Sequence, residues 1–113
     1  MDDRGYSTYL TEGILRASHR KMSNPPYQNL GLPYHSHYQS ELESMMVGRP
    51  VELVFSLHPI SYRFLKGNRI RVTVAFADAD NFETPVIDPA PRLQLLRDKD
   101  HSSSIQLPII QTR

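Results

Sequence analysis

Apolar side chains at every second position, between proline-rich connections, are the feature that most limits the fold of this chain. Residues 51–58 show this alternation, and residues 69–77 repeat it. A period of two is typical of a β-strand with one buried face. The chain also has 9 prolines, and proline interrupts helices because it lacks a backbone N–H and clashes with the preceding turn. The pattern therefore predicts short strands and little helix.

The two alternating segments also predict the hydrophobic core. Gly67 and Asn68 lie just before the second segment and tolerate positive φ, so residues 65–68 are predicted to form a turn. The side chains expected to face inward share the apolar positions of the alternation, and they are Val51, Leu53, Phe55, Leu57, Ile70, Val72, Val74 and Phe76.

Further short strands are predicted at residues 60–64, 92–98 and 103–110, the last near a sheet edge because of Pro108. Residues 6–20 favour a strand or a bulged pair of strands, and a helix over 11–21 is the alternative.

Residues 22–50 form a long connection, in which residues 40–47 are expected to make one or two helical turns that end at Gly48. We therefore expect residues 1–113 to be one domain or fragment of the all-β class, a partial or half jelly-roll-like antiparallel β-sandwich.

Charge and composition exclude several classes of function. The net charge of +1 gives no general attraction to nucleic acid or to an anionic membrane. The absence of cysteine removes disulfides, thiolate metal sites and cysteine nucleophiles. The first ten residues are acidic and polar, unlike a signal peptide, and no apolar run is long enough for a membrane span. We expect a soluble, cytoplasmic protein without nucleic-acid or membrane partners.

Several stretches of the sequence together resemble a known family. They are TEGILRASHRK at 11–21, PPY at 25–27, PYHSH at 33–37, VGRPVE at 47–52, FLKGNRIR at 64–71 and SSIQLP at 103–108. Their order and spacing resemble the C-terminal part of the cocaine-esterase and X-prolyl dipeptidyl-peptidase group of α/β-hydrolases. No single stretch is specific, but the ordered set covers nearly the whole chain.

The resemblance implies a non-catalytic role. Enzymes of that group carry an α/β-hydrolase domain with a Ser-Asp-His triad, followed by a jelly-roll β domain. This chain is similar only to the later part of the jelly roll, so the catalytic domain and the opening strands of the sandwich are expected to be missing. We accordingly expect no catalytic, cofactor-binding or metal-binding residue in this chain, and no cofactor.

The turn at residues 98–104 brings together candidate triad residues, namely Asp98, Asp100, His101 and Ser102–Ser104. A serine hydrolase of the α/β type carries its nucleophile in a Gly-x-Ser-x-Gly elbow, and the sequence has no such string. A triad is also assembled from distant segments. The favoured interpretation is a polar turn before the last strand.

Histidines and acidic residues suggest two metal sites, neither of which is favoured. His35 and His37 would lie on one side of an extended chain, and His19 or His58 would have to join them for zinc. Asp78, Asp80 and Glu83 follow a predicted strand like the start of a calcium loop. Glu83 occupies the position of the required glycine, and Pro89 that of the final acidic ligand.

A basic face on the strand at 69–77 is the best candidate for nucleic-acid binding. Arg69 and Arg71 share that face, but no aromatic side chain lies between them for stacking on bases. The favoured interpretation is a solvated outer face, or pairing of the arginines with an acid such as Glu52 on a neighbouring strand.

Three hypotheses for function remain. The first is a non-catalytic domain that supports the catalytic domain, the substrate-pocket rim and oligomer contacts of an acyl or peptidyl serine hydrolase. The second is a free-standing jelly-roll module whose loop at 27–38 binds a ligand or carbohydrate. The third is an enzyme in its own right. Because a partial sandwich leaves an unpaired sheet edge, we expect a homo-oligomer or a partner chain with an α/β-hydrolase catalytic domain.

Overall fold

The computed structural model describes residues 1–78, 80–83 and 86–111. Within these ranges the regular elements are two 3₁₀ helices, Ala17–His19 and Gln39–Glu41, and no strand is present. The β-sandwich therefore stays a prediction. The first 3₁₀ helix is one short turn in a segment for which a strand was expected and a longer helix was the alternative. The second lies at the start of the predicted helical turns before Gly48.

The chain divides into two compact units, Met1–Thr73 and Val74–Arg113. The boundary falls inside the predicted strand at 69–77. No helix among the described residues has both the length and the apolar character that a bilayer span requires.

The predicted core side chains are not buried. In the first unit Leu53 and Phe55 are each 40% exposed and Val72 is 64% exposed, and in the second unit Phe76 is 64% exposed. None of the hydrophobic side chains that the structure describes is fully buried. The core prediction is therefore wrong for the single chain. The physical reason is that alternating apolar side chains are buried only when paired strands form a layer and a second layer packs on it, and the described residues form no strand.

Gly13 lies where two distant segments of the first unit approach each other closely. The amide of His58 donates to the carbonyl of Glu12 at 2.9 Å, and the Thr11 hydroxyl donates to the carbonyl of His58 at 2.6 Å. A Cβ atom at Gly13 would lie 2.5 Å from the Ser56 carbonyl oxygen. Glycine is required at this position because any side chain would collide with the backbone of the neighbouring segment.

Arg20 ties the first 3₁₀ helix to residues 43–45. Its guanidinium donates to the carbonyls of Ala17 at 3.2 Å, Glu43 at 2.8 Å and Ser44 at 3.1 Å. It also pairs with the Glu43 carboxylate at 3.2 Å, and its side chain is 15% exposed. The Glu43 amide completes the link by donating to the Ser18 carbonyl at 2.9 Å. One charged side chain thus links residues 17–20, which precede the long connection, to residues 43–45 near its end.

Turns in the first unit follow the local sequence. The Asn68 amide donates to the Leu65 carbonyl at 3.0 Å, with Gly67 at φ +91°. The predicted turn at 65–68 is therefore confirmed. A second turn before the 47–52 stretch has Gly48 at φ +76°.

The second unit contains two side-chain-capped turns. The Phe82 amide donates to the Asp78 carbonyl at 2.9 Å, and the Asn81 amide group donates to the Asp78 carboxylate. In the other turn the Asp98 carboxylate accepts from the amides of Asp100 and His101 at 2.9 Å and 2.8 Å. The Asp98 turn is typical of aspartate, whose short side chain accepts hydrogen bonds from nearby backbone amides, whereas the Asp78 carboxylate accepts from the side chain of Asn81.

We expect Gly13→Ala to weaken the contact between residues 11–13 and 56–58 by about 1–3 kcal/mol, the range found for overpacked sites. Hydrogen exchange at the His58 amide measures this loss, since that amide donates across the contact. The matched control is Gly48→Ala, which strains its own positive φ but adds a Cβ in open space. Unchanged His58 protection in Gly13→Ala would contradict the close approach.

Candidate functional site

Three of the candidate histidines lie together in the first unit. The Nδ1 atoms of His19 and His37 are 2.7 Å apart, and their ring centroids are separated by 4.9 Å. The rings of His35 and His37 are 6.2 Å apart. His37 has φ +60°, so the chain turns there and does not place His35 and His37 on one extended face. The cluster forms because that turn directs His37 toward His19.

The hydrogen bonds of the cluster require different protonation states of the histidine rings. A bond between two imidazoles needs one ring to donate and the other to accept, so it is lost when both rings are protonated. His35 places Nδ1 3.1 Å from the Lys21 carbonyl and Nε2 2.8 Å from the Val54 carbonyl. Carbonyl oxygens only accept, so both bonds of His35 form together only in the protonated ring. The contacts of the cluster join residues 19–21, 35–37 and 54.

These contacts do not assemble a metal site. Among residues 1–78, 80–83 and 86–111, no group of three or more His, Asp or Glu side chains could hold a metal ion. Both ring nitrogens of His35 contact carbonyl oxygens, and His58 contributes its backbone to the contact with Glu12. The histidine cluster therefore serves as a contact between distant parts of the first unit.

Glu41 is the centre of a second polar group. One carboxylate oxygen accepts from the hydroxyls of Ser23, at 2.6 Å, and Ser36. The other lies 3.8 Å from the Lys21 ammonium. The Ser23 hydroxyl, followed by that of Ser36, lowers the pKa of Glu41 below its usual 4.5. The carboxylate is ionised at neutral pH and held by groups from two other parts of the chain, residues 21–23 and Ser36.

A cavity of about 300 Å³ lies beside this carboxylate. Its lining consists of the two serines, Asn24, Pro26, Tyr34, Tyr38 and Glu41. The Tyr34 ring packs edge-on against Tyr27, with centroids 5.9 Å apart and an angle of 88° between the planes. The cavity therefore combines one anion, hydroxyl groups and aromatic surface.

The turn at 98–104 does not show the geometry of a triad. His101 Nδ1 lies 3.0 Å from the Asp98 carboxylate. The Ser103 hydroxyl donates to the Leu96 carbonyl at 2.6 Å. The His101 amide, followed by its ring, lowers the pKa of Asp98 below its usual 3.8. Aspartate and histidine meet, but the serine proton is directed to a backbone carbonyl, as a polar turn requires.

The acidic and basic candidates at 69–83 make hydrogen bonds within the chain, Asp78 locally and the two arginines with the first residues of the chain. Asp78 accepts from Asn81 and caps its own turn. Arg71 donates to the Ser7 hydroxyl at 3.2 Å, and the backbone of Arg69 exchanges hydrogen bonds with Met1. The ion pairs found in the described part of the chain do not join either arginine to Glu52.

Sequence reasoning missed the group around Glu41. Ser23, Ser36 and Glu41 lie in the proline-rich connection, where no periodic pattern reveals which side chains converge. The aromatic loop at 27–38 was a candidate binding segment, and its end at Tyr34–Tyr38 does border the cavity. A prediction that Glu41 lies at the centre of this group would have required knowledge of the turn at Gln39–Glu41.

We expect acid to weaken the contact between His19 and His37. Loss of hydration at the His19 ring, followed by the charge of His37, lowers the pKa of His19 below its usual 6.5. The unfolded chain then binds more protons than the folded one below pH 6.5, so this contribution to stability is present above that pH and is lost as the pH falls through the folded pKa.

Proton NMR titration of the imidazole rings measures this effect. The His19 midpoint should lie below 6.5 and rise toward that value in His37→Gln. His58→Gln is the control, since its ring lies outside the cluster. A His19 midpoint that His37→Gln leaves unchanged would refute the coupling.

We expect removal of both serine hydroxyls to raise the pKa of Glu41 toward 4.5, because those hydroxyls stabilise its ionised form. The measurement is a carbon-13 titration of the Glu41 carboxyl in Ser23→Ala/Ser36→Ala. Ser40→Ala serves as the control because Ser40 is a near neighbour in sequence but makes no described bond to the carboxylate. The same shift in both variants would argue against the two hydroxyls as its cause.

The chain matches a described family over most of its length. Residues 1–101 match the X-Pro dipeptidyl-peptidase C-terminal non-catalytic domain. Two relatives, from Mycobacterium bovis and Mycobacterium tuberculosis, carry the name of a serine esterase, and each is 41% identical over 98% of this chain. The chain spans 18% of the length of each. No solved structure gives a significant match.

The match confirms the resemblance found in the ordered stretches from TEGILRASHRK to SSIQLP. The chain belongs to the X-Pro dipeptidyl-peptidase C-terminal non-catalytic domain family, whose members accompany the catalytic part of serine hydrolases.

Proposed function

We propose that this chain packs against the catalytic domain of a serine hydrolase with esterase or X-prolyl dipeptidyl-peptidase activity. In this role it supports that domain and shapes the rim of the substrate pocket. The observation that carries the proposal is the exposure of the apolar side chains at alternating positions of residues 51–58 and 69–77. Large exposed apolar surfaces on soluble proteins mark sites where another polypeptide packs.

Such packing would increase the stability of the chain. Leu53, Phe55 and Leu57 are 40%, 40% and 37% exposed, and they share one side of the predicted strand. Full burial of a side chain of this kind contributes about 1.5–3 kcal/mol relative to full exposure. Because these three side chains are already partly buried, a second layer that covered this side would add about 2–4 kcal/mol of stability.

The catalytic residues belong to the partner domain in this proposal. The relatives are much longer than this chain, which spans 18% of them. Their additional length is sufficient for a catalytic domain. In this chain the Ser103 hydroxyl is directed to a carbonyl and not to His101, so it lacks the base that a serine nucleophile needs.

The proposal includes a jelly-roll β-sandwich completed by the partner domain. Pairing of the predicted strands with strands outside this chain would satisfy their backbone groups and bury their apolar side chains in one step. Pairing between two copies of this chain is the other arrangement, and it would give a homo-oligomer. A cytoplasmic location remains part of the same expectation.

Purification from the native host, followed by mass measurement of the intact protein, tests the proposal. We expect this sequence within a longer hydrolase polypeptide or bound to a catalytic chain. We also expect the 113-residue chain alone to leave p-nitrophenyl acetate at its background rate of hydrolysis and to bind a hydrophobic dye.

Two results would contradict the proposal. One is a stable monomer by light scattering with dispersed amide signals and no dye binding, since such a chain would need no second layer. The other is esterase turnover by the isolated chain that is lost in Ser103→Ala. The matched control is Ser40→Ala, a change in a serine of the first unit.

A further inference from the structure

The cavity beside Glu41 has the chemistry of a small recognition site. It holds about 300 Å³, at the lower end of the volumes of small-molecule sites. Glu41 presents an ionised acceptor, Ser23 and Ser36 present hydroxyls, and Tyr34 and Tyr38 present aromatic surface. The proposed packing against a catalytic domain uses the apolar side chains of 51–76 and does not account for this polar cavity.

The walls of the cavity are fixed by backbone contacts. The Ser23 amide donates to the Tyr34 carbonyl at 3.0 Å, and the Glu41 amide donates to the Tyr38 carbonyl at 2.9 Å. The Tyr38 amide donates to the Ser36 hydroxyl at 3.2 Å. These bonds join Ser23 to Tyr34, and join Tyr38 to both Ser36 and Glu41. Such preorganisation lowers the entropy that a ligand must offset on binding.

The charges around the cavity favour a neutral ligand over a cation. The Lys21 ammonium lies 3.8 Å from one Glu41 oxygen and offsets part of the carboxylate charge. A cationic ligand would have to approach that ammonium. A hydroxyl group can donate to the carboxylate without this repulsion, and the serine hydroxyls, which already donate to Glu41, keep lone pairs that can accept from a ligand.

The aromatic walls determine the second half of the specificity. Tyr38 is 68% exposed, and Tyr34 is held edge-on by Tyr27. Tyrosine offers a flat apolar face together with a polar hydroxyl. A ligand that presents hydroxyl groups along its edge and C–H groups on its face matches both kinds of wall, and this is the arrangement in a sugar ring.

We propose that the cavity formed by Ser23, Ser36, Tyr34, Tyr38 and Glu41 binds a neutral polyhydroxylated ligand of the size of a monosaccharide. The Glu41 oxygen that accepts from neither serine accepts a hydrogen bond from one ligand hydroxyl, and the serine hydroxyls accept from others. Tyr38 stacks against the apolar face of the ring. The site deepens the binding-module hypothesis, and its failure would leave the packing of residues 51–76 against a catalytic domain unaffected.

Saturation-transfer NMR on the 113-residue chain tests this site, with methyl glycosides of glucose, galactose and mannose as probes. We expect transfer from tyrosine ring protons to the sugar C–H protons of at least one probe. Glu41→Gln should weaken binding about tenfold, equivalent to the loss of one charge-assisted hydrogen bond. Tyr38→Ala should abolish the transfer, because it removes the stacking face.

The control is Tyr9→Ala, which removes another exposed tyrosine, 71% exposed and outside the lining of the cavity. Binding that this variant weakens as much as Tyr38→Ala does would overturn the assignment. A chain that binds none of the three glycosides would also overturn the assignment. This holds both when the Ser23 amide shows the protection expected from its bond to Tyr34 and when it does not. Preferential binding of tetramethylammonium over the glycosides would also overturn it, in favour of a cation site.

Discussion

Polar contacts hold the long connection of the first unit in place where no apolar core is present to do so. Arg20 closes residues 17–20 onto 43–45 through three carbonyls and one carboxylate. Glu41 gathers Ser23, Ser36 and Lys21 around its two oxygens. A hydrogen bond to a charged group contributes more than a neutral one. The geometry of the cavity and of the histidine cluster depends on these two charged side chains.

Part of this arrangement could be predicted from the sequence. The turn at 65–68 follows from Gly67 and Asn68, whose backbone preferences are local, and it is confirmed. The family follows from short stretches whose order is itself the signal, and it is confirmed as well. The first prediction needs only the backbone preferences of a few neighbouring residues, and the second needs only the order of short stretches along the chain. Neither requires a partner surface.

The rest could not be predicted because it depends on contacts between distant segments. The burial of Leu53 and Phe55 needs a second layer, and the alternating pattern indicates a face without indicating what covers it. The meeting of His19 with His37 depends on a positive φ at His37, which histidine adopts rarely. The position of Glu41 depends on a single 3₁₀ turn in a segment of low periodicity.

The number of residues between contacting groups affects the order in which the first unit folds. The bonds of Arg20 and Glu41 close loops of at most 25 residues, whereas the Thr11 hydroxyl reaches His58 across 47 residues. Closing a longer loop costs more chain entropy, and contacts between distant residues slow folding. Residues 17–45 would therefore order early during synthesis. The approach of Gly13 to Ser56 would follow only after residues 56–58 have left the ribosome.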